Sequence, residues 1–243
     1  MIPFFRKIRK QSADDNKPLK YMRYAIGEIV LVVIGILIAL SINNWNENQK
    51  KEKLKVSYKI SLINDLSLDT LKLSELVAEN YNAMEILNNQ RGRFLGLDTT
   101  IDTLTKIART EFDPELNTRF QYNRNTFNTL IATGNIDLFD EDLNKKLMTL
   151  ISLQDLEREN SNYHSEVYAN KISRYSDNYP VSGHQNSNVV NLIWANVNEQ
   201  KFASYFISLT DIKGYAHYRF ISAIENVKKK TTLLLEHINN HDY

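Results

Sequence analysis

The sequence of 243 residues has no cysteine, only four prolines and only seven glycines. Without cysteine there is no disulfide framework, no thiolate-ligated zinc and no thiol nucleophile. So few prolines and glycines cannot punctuate an all-β chain that reverses roughly every ten residues, and helix is the expected element throughout. No glycine-rich phosphate loop and no Gly-x-Ser-x-Gly turn occurs. The formal charge is only +1, but it is unevenly spread. Residues 1–23 hold seven Lys/Arg against two Asp, a net of +5. From Asn43 onward, 23 Lys/Arg face 26 Asp/Glu, a net of −3. The body lacks the basic excess that displaces counterions from nucleic acid, so no nucleic-acid partner is expected.

What the sequence does have is one apolar run, "YAIGEIVLVVIGILIALSINNWNE", over residues 24–47. Residues 29–46 are 18 in a row without a charge. As a helix, residues 24–42 extend roughly 27 Å, just enough for a bilayer core of about 30 Å. Tyr24 and Trp45 flank the run, where amphipathic rings favour the headgroup level. A buried core helix would need polar residues on one face, and the central positions have none. A signal peptide would be cut near Ala39-Leu40-Ser41, but the leader is long for an n-region and no break follows the site. The run reads as an uncleaved transmembrane helix.

Orientation follows from the Lys/Arg bias, which is greater before the run than after it and puts the N-terminus in the cytoplasm. The opening "IPFFRKIRK" interleaves Ile2, Phe4, Phe5 and Ile8 with four cations, a pattern suited to the anionic inner leaflet. The expected organisation is a basic cytoplasmic segment (1–23), a transmembrane helix (24–42) and a helical extramembrane, periplasmic domain (43–243). The setting is a bacterial inner membrane.

Glu28 admits two readings. About one turn inside the cytoplasmic end, it can snorkel to headgroup water, pair with Arg23 or Lys20, and complement the helix dipole. Alternatively, Glu28, Gly35, Ala39 and Ile42 share one helix face, and Gly35 and Ala39 form a small-xxx-small pair that permits close approach of another helix. The expected partners are the lipid bilayer and either a second copy or another membrane protein.

Two motifs carry a family likeness. "FFRKIR" followed by the apolar run resembles an uncharacterised family of single-pass membrane proteins common in Bacteroidota. "NTFNTLIATGNIDLFDEDLNKKL" is similar to the same family's second hallmark, with Thr126 and Phe127 at its start and Gly134 at its turn. The resemblance implies an uncleaved anchor and a helical body. It implies no activity, ligand or catalytic residue.

In the body, no proline lies between Leu19 and Asp113 and no glycine between Ile36 and Arg91, so the first helix is expected to continue beyond the membrane until Gly92 and Gly96 end it. Asp98, Thr99 and Asp102 offer caps for a short helix stopping before Pro114. A further helix covers roughly 124–133, closed by Gly134. Asp140 can cap a long helix to about Asn178, with Leu143, Leu147, Leu150, Ile151, Leu153 and Leu156 on its apolar side. Residues 179–188 read as a loop, and the last helix runs from about Glu199 to Asn239. Long helices with short connections make an all-α, antiparallel bundle behind a single N-terminal transmembrane helix.

Chemistry is sparse. His237 and His241 stand four apart, but "HINNH" lacks the glutamate of a zinc-protease helix and reads as a solvated tail. His164 and His217 lie on tyrosine-rich helices and read as packing at the core edge, and His184 as a loop residue. Asp65 with Asp69, and Glu75 with Glu79, share helix faces without a histidine at di-iron spacing and read as solvated. The expectation is a membrane-anchored interaction or scaffold subunit with no catalytic, metal or cofactor site. The alternative is a periplasmic small-ligand sensor acting through a partner membrane protein.

Overall fold

The computed structural model describes residues 18–116, 120–181 and 187–240, with side chains from Tyr21 onward. Most of the basic N-terminal segment, His184 and His241 therefore lie outside the described residues. The chain is all-α: α1 (Pro18–Phe94), α2 (Ile101–Thr110), α3 (Asn125–Thr133), a 3-10 turn (Asn135–Leu138), α4 (Glu141–Ser176), α5 (Asn188–Ala195) and α6 (Glu199–Asn240). It divides into two units, residues 1–57 and 58–243, and α1 contributes to both.

In the first unit α1 carries an 18-residue window of mean hydropathy 2.8, none of it buried. That exposure is the opposite of what a core helix shows. The helix is long and apolar enough to cross a membrane. Ser41, within the apolar run, donates to the Leu37 carbonyl at 2.8 Å, so that polar group is satisfied within the helix.

In the second unit α1, α4 and α6 form a helical bundle. Asn80 meets His217 and Arg91 meets the Thr210 carbonyl, so α6 runs antiparallel to α1. His237 faces Asp142 and Tyr215 faces His164, so α6 is antiparallel to α4 as well. It follows that α1 and α4 run the same way, and the chain must return between them. The segment after α2 makes that return. Glu111 is bonded to Gln90, and Asn123 to Asp69, contacts about 31 Å apart along α1.

The core has two parts. One joins Leu66, Leu73 and Leu76 of α1 to Leu143, Leu147 and Leu150 of α4 and Phe220, Ile224 and Val227 of α6. The other is aromatic, with Phe94, Tyr175, Tyr179, Trp194, Phe202 and Phe206. Each such side chain contributes about 1.5–3 kcal/mol by leaving water.

Four local expectations need correction. α1 passes through Gly92 to Phe94, and Thr99 closes the turn by donating to the Arg93 carbonyl. α2 is capped by Thr100, which accepts from the Thr103 N–H, because Thr100 directly precedes the first helical residue. Residues 188–195 form a helix where none was assigned; Ser187 caps it and Trp194 anchors it. On α4, Leu156 is 59% exposed. The buried row runs Leu143, Leu147, Leu150, Gln154, Glu157, Ser161, His164 and Tyr168, at helical spacing, so polar residues hold core positions that a search for leucines passes over.

Candidate functional site

The polar positions of that buried row build the most elaborate site in the body. It starts with Asp65 and Asp69, one turn apart on α1. Asp69 is fully buried, and one carboxylate oxygen accepts from both the backbone N–H (3.0 Å) and the side-chain amide (2.8 Å) of Asn123. Its other oxygen has no hydrogen-bond partner. Asp65 accepts from the backbone N–H of Thr126 at 3.2 Å. Both aspartates are therefore bonded within the fold, not solvated as expected. The reason is topological: the returning chain presents N–H groups to α1 that no helix or strand satisfies.

Between these aspartates and α4 lies Arg124. Its guanidinium donates to Gln154 at 2.8 Å, to Asp155 at 2.7 Å and to the Ile151 carbonyl at 3.3 Å. It also lies over the Tyr122 ring, 5.6 Å from the centroid. Tyr122 donates to Glu157 at 2.8 Å, and Ser161 donates to the other Glu157 oxygen at 2.6 Å. Three consecutive residues, 122 to 124, thus lead into α3 while bridging α1 to α4. Burial pushes the Asp69 carboxyl above its ordinary value; Asp65 adds to this, while the Asn123 bonds and Arg124 oppose it. Burial, then the nearby Glu157 and Asp69 carboxylates, push the Tyr122 phenol far up. Tyr122 is a donor, fixed in that role.

A second polar group secures the start of the return. Three backbone carbonyls are met by side chains from the three long helices: Glu111 by Gln90 of α1, Pro114 by Tyr168 of α4, and Asp113 by Lys213 of α6. Lys213 is buried, and burial pushes its ammonium pKa down. Nearby, Asn80 donates its amide to the Leu76 carbonyl, leaving its oxygen toward His217 Nδ1 at 2.8 Å. That network assigns the proton to Nδ1. Nε2 is buried without a partner, and burial with Lys213 nearby pushes the imidazole down to about 4.

The positions singled out in the sequence fall in three places. Thr126 and Phe127 are buried in the first turn of α3, at the aspartate contact, and Gly134 ends α3 with φ +70, the left-handed backbone that glycine adopts without strain. Glu28, Gly35 and Ala39 lie on α1 in the first unit; Gly35 has no neighbour within 4 Å of where a Cβ would stand. His237 is half-buried against Asp142, and Ile238 beside it is fully buried, so the end of α6 is packed and not a solvated tail. Among the described residues no group of three or more His, Asp or Glu is placed to hold a metal ion. Asn123, Arg124, Gln154, Glu157 and Lys213 were missed. An asparagine and an arginine directly before the Thr-Phe start were the available signal.

An all-α chain with one long apolar N-terminal helix and a bundle locked by this network is the class that the fold defines. Residues 28–180, more than half of the chain, match a family of unknown function, DUF6090, and the chain belongs to it. The matched span contains the apolar run from Glu28 onward and both halves of the aspartate network. No curated protein and no solved structure matches the chain.

Proposed function

We propose that this protein is a membrane-anchored helical interaction or scaffold subunit, single-pass in the inner membrane of a bacterium of the Bacteroidota, with its N-terminus cytoplasmic and residues 43–243 periplasmic. The observation that carries this reading is α1 itself. One helix contains both a wholly exposed apolar window and the leucines of the bundle core. Buried and half-buried polar groups of the body such as Asn123, Arg124 and Glu157 are engaged within the fold, and in this reading the body passes a signal or load to a partner. The Gly35 and Ala39 face is the proposed contact within the bilayer, with Glu28 at its edge.

A small-ligand sensor is the second reading, favoured by a cavity of about 170 Å³ beside buried Lys213, lined also by Gln90, Phe112 and Asp113. Its volume is below the roughly 300 Å³ usual for ligand pockets, which favours the scaffold reading.

Thiol labelling tests the topology, because the natural chain has no cysteine. Ser187→Cys should react with an impermeant thiol reagent in intact spheroplasts, and Ser12→Cys should not. Labelling confined to Ser12→Cys inverts the topology. Carbonate extraction tests the anchor: the chain should remain in the membrane pellet, with its mature N-terminus at or near Met1. A mature terminus at Ile42 would mean that the run is a cleaved signal.

A further inference from the structure

Three side chains fasten backbone carbonyls at the start of the return segment, and two of them are neutral: Gln90 holds the Glu111 carbonyl and Tyr168 the Pro114 carbonyl. The third is Lys213, which is buried, donates to the Asp113 carbonyl and stands over the Phe112 ring, 5.1 Å from its centroid. Holding a carbonyl takes one N–H, and an ammonium has three. Among the described residues the other two have no acceptor, and no carboxylate lies at ion-pair distance from the nitrogen. Asp113 and Glu115 act on it from further off and offset less than burial costs. A charge buried in this way is expensive unless something else pairs with it.

The same lysine lines the cavity of about 170 Å³ between α1, the return segment and α6. Ala83, Leu87 and Phe112 make its wall apolar, while Asn82 and the second amide N–H of Gln90 add neutral donors. Asn82 and Asp113 are exposed, so the cavity opens to solvent at their side. Its volume is that of roughly six waters, room for a carboxylate with about two or three further carbons.

From the unpaired ammonium and the cavity beside it we infer that Lys213 binds a small monocarboxylate. The carboxylate accepts the two remaining N–H groups, and the short apolar tail lies against Leu87 and Phe112. Asp113 stands at the rim, where one carboxylate oxygen accepts the Glu115 N–H at 2.9 Å, so a second negative charge on the ligand is disfavoured. The inference deepens the small-ligand reading and rests on it.

Melting of the full chain in detergent, followed by circular dichroism, tests this with sodium propionate against equal concentrations of propionamide and sodium chloride. Propionate should raise the melting temperature by a few degrees, increasing with concentration, and the other two should not. Lys213→Met should abolish the rise. Because that variant also frees the Asp113 carbonyl, Ala83→Phe is the second: it fills the cavity from a half-buried position, keeps Lys213, and should abolish the rise too. Saturation-transfer NMR on the propionate signals reads binding directly, whatever a variant does to stability. An equal rise with sodium chloride, or one that survives Ala83→Phe, overturns the carboxylate site. An equal rise with propionamide overturns the anion but leaves a small-ligand pocket, and the sensor reading stands. No rise and no saturation transfer from either compound removes the pocket, and with it the observation that favours that reading.

Discussion

Asp65 accepts the backbone N–H of Thr126 at 3.2 Å across 61 residues of chain, so the carboxylate of one helix caps another. The residue at the N-cap of α3 is Arg124, whose side chain makes no cap bond because it reaches to α4. An anion there also meets the positive end of the α3 dipole.

Removing that cap should cost what a local N-cap costs. Asp65→Ala is expected to destabilise the body by about 1 kcal/mol. Asp69→Ala should cost more, about 1–3 kcal/mol, because it orphans the Asn123 N–H groups in a buried setting. Asp65→Asn keeps an acceptor and should lose only a fraction. Thermal melts of the full chain in detergent, followed by circular dichroism, read all three. Equal losses for Asp65→Ala and Asp65→Asn would mean that charge, not the bond, is what matters.

The family start "NTF" was legible in the sequence as a motif, but its role was not. The three long helices, the Gly134 stop and the Asp140 cap follow from local patterns, and the structure has them, while the helix over residues 188–195 was not read. The aspartate contact depends on α1 and α4 running the same way, a relation set by a long return that no short-range pattern encodes. For the same reason Gln154 and Glu157 gave no sign of burial: their partners, Arg124 and Tyr122, come from another element, and Ser161 follows by bonding Glu157 on its own helix.

His217 makes stability depend on pH. Its imidazole titrates near 4 in the fold, against an ordinary 6.5. Between those values the unfolded chain binds a proton that the folded chain does not. The stability is complete above pH 6.5 and is lost as pH falls toward 4. The loss approaches 3 kcal/mol on the order-of-magnitude scale of about 1.4 kcal/mol per pH unit. His164, also pushed down by burial, adds in the same direction, while Asp69, pushed up, opposes it just above pH 4. His217→Asn places an amide donor near the Nδ1 position and should flatten denaturation midpoints between pH 6.5 and 5. An unchanged slope would assign the effect elsewhere.

Gly214, in the middle of α6, faces α1. A Cβ there would stand 3.4 Å from Arg91 and 3.6 Å from Leu87, ordinary contact distances at movable side chains. Gly214→Ala should therefore be accepted and raise stability by up to about 1 kcal/mol through helix propensity. Gly214→Leu should lower it, because the larger side chain must displace Arg91 from Thr210 and Asp211. The sign of the alanine change, read from the melting temperature, decides whether this glycine is a packing requirement or a tolerated weakness.

Within the bilayer, contact between helices depends on close packing, because lipid is as apolar as leucine. If the Gly35 and Ala39 face meets another helix, Gly35→Leu forces the backbones apart and should weaken association by about 1 kcal/mol or more in a membrane two-helix assay. Glu28 separates two cases. A carboxylate that only snorkels to headgroup water loses little on Glu28→Gln, whereas one bonded across the interface should match the Gly35→Leu loss. The partner is either a second copy or a different protein, so association is measured both for the helix alone and in native membranes. Loss in native membranes only would identify a different partner. No loss from either substitution in either setting would leave Gly35 and Ala39 facing lipid, and the contacts of this protein would then lie in its body.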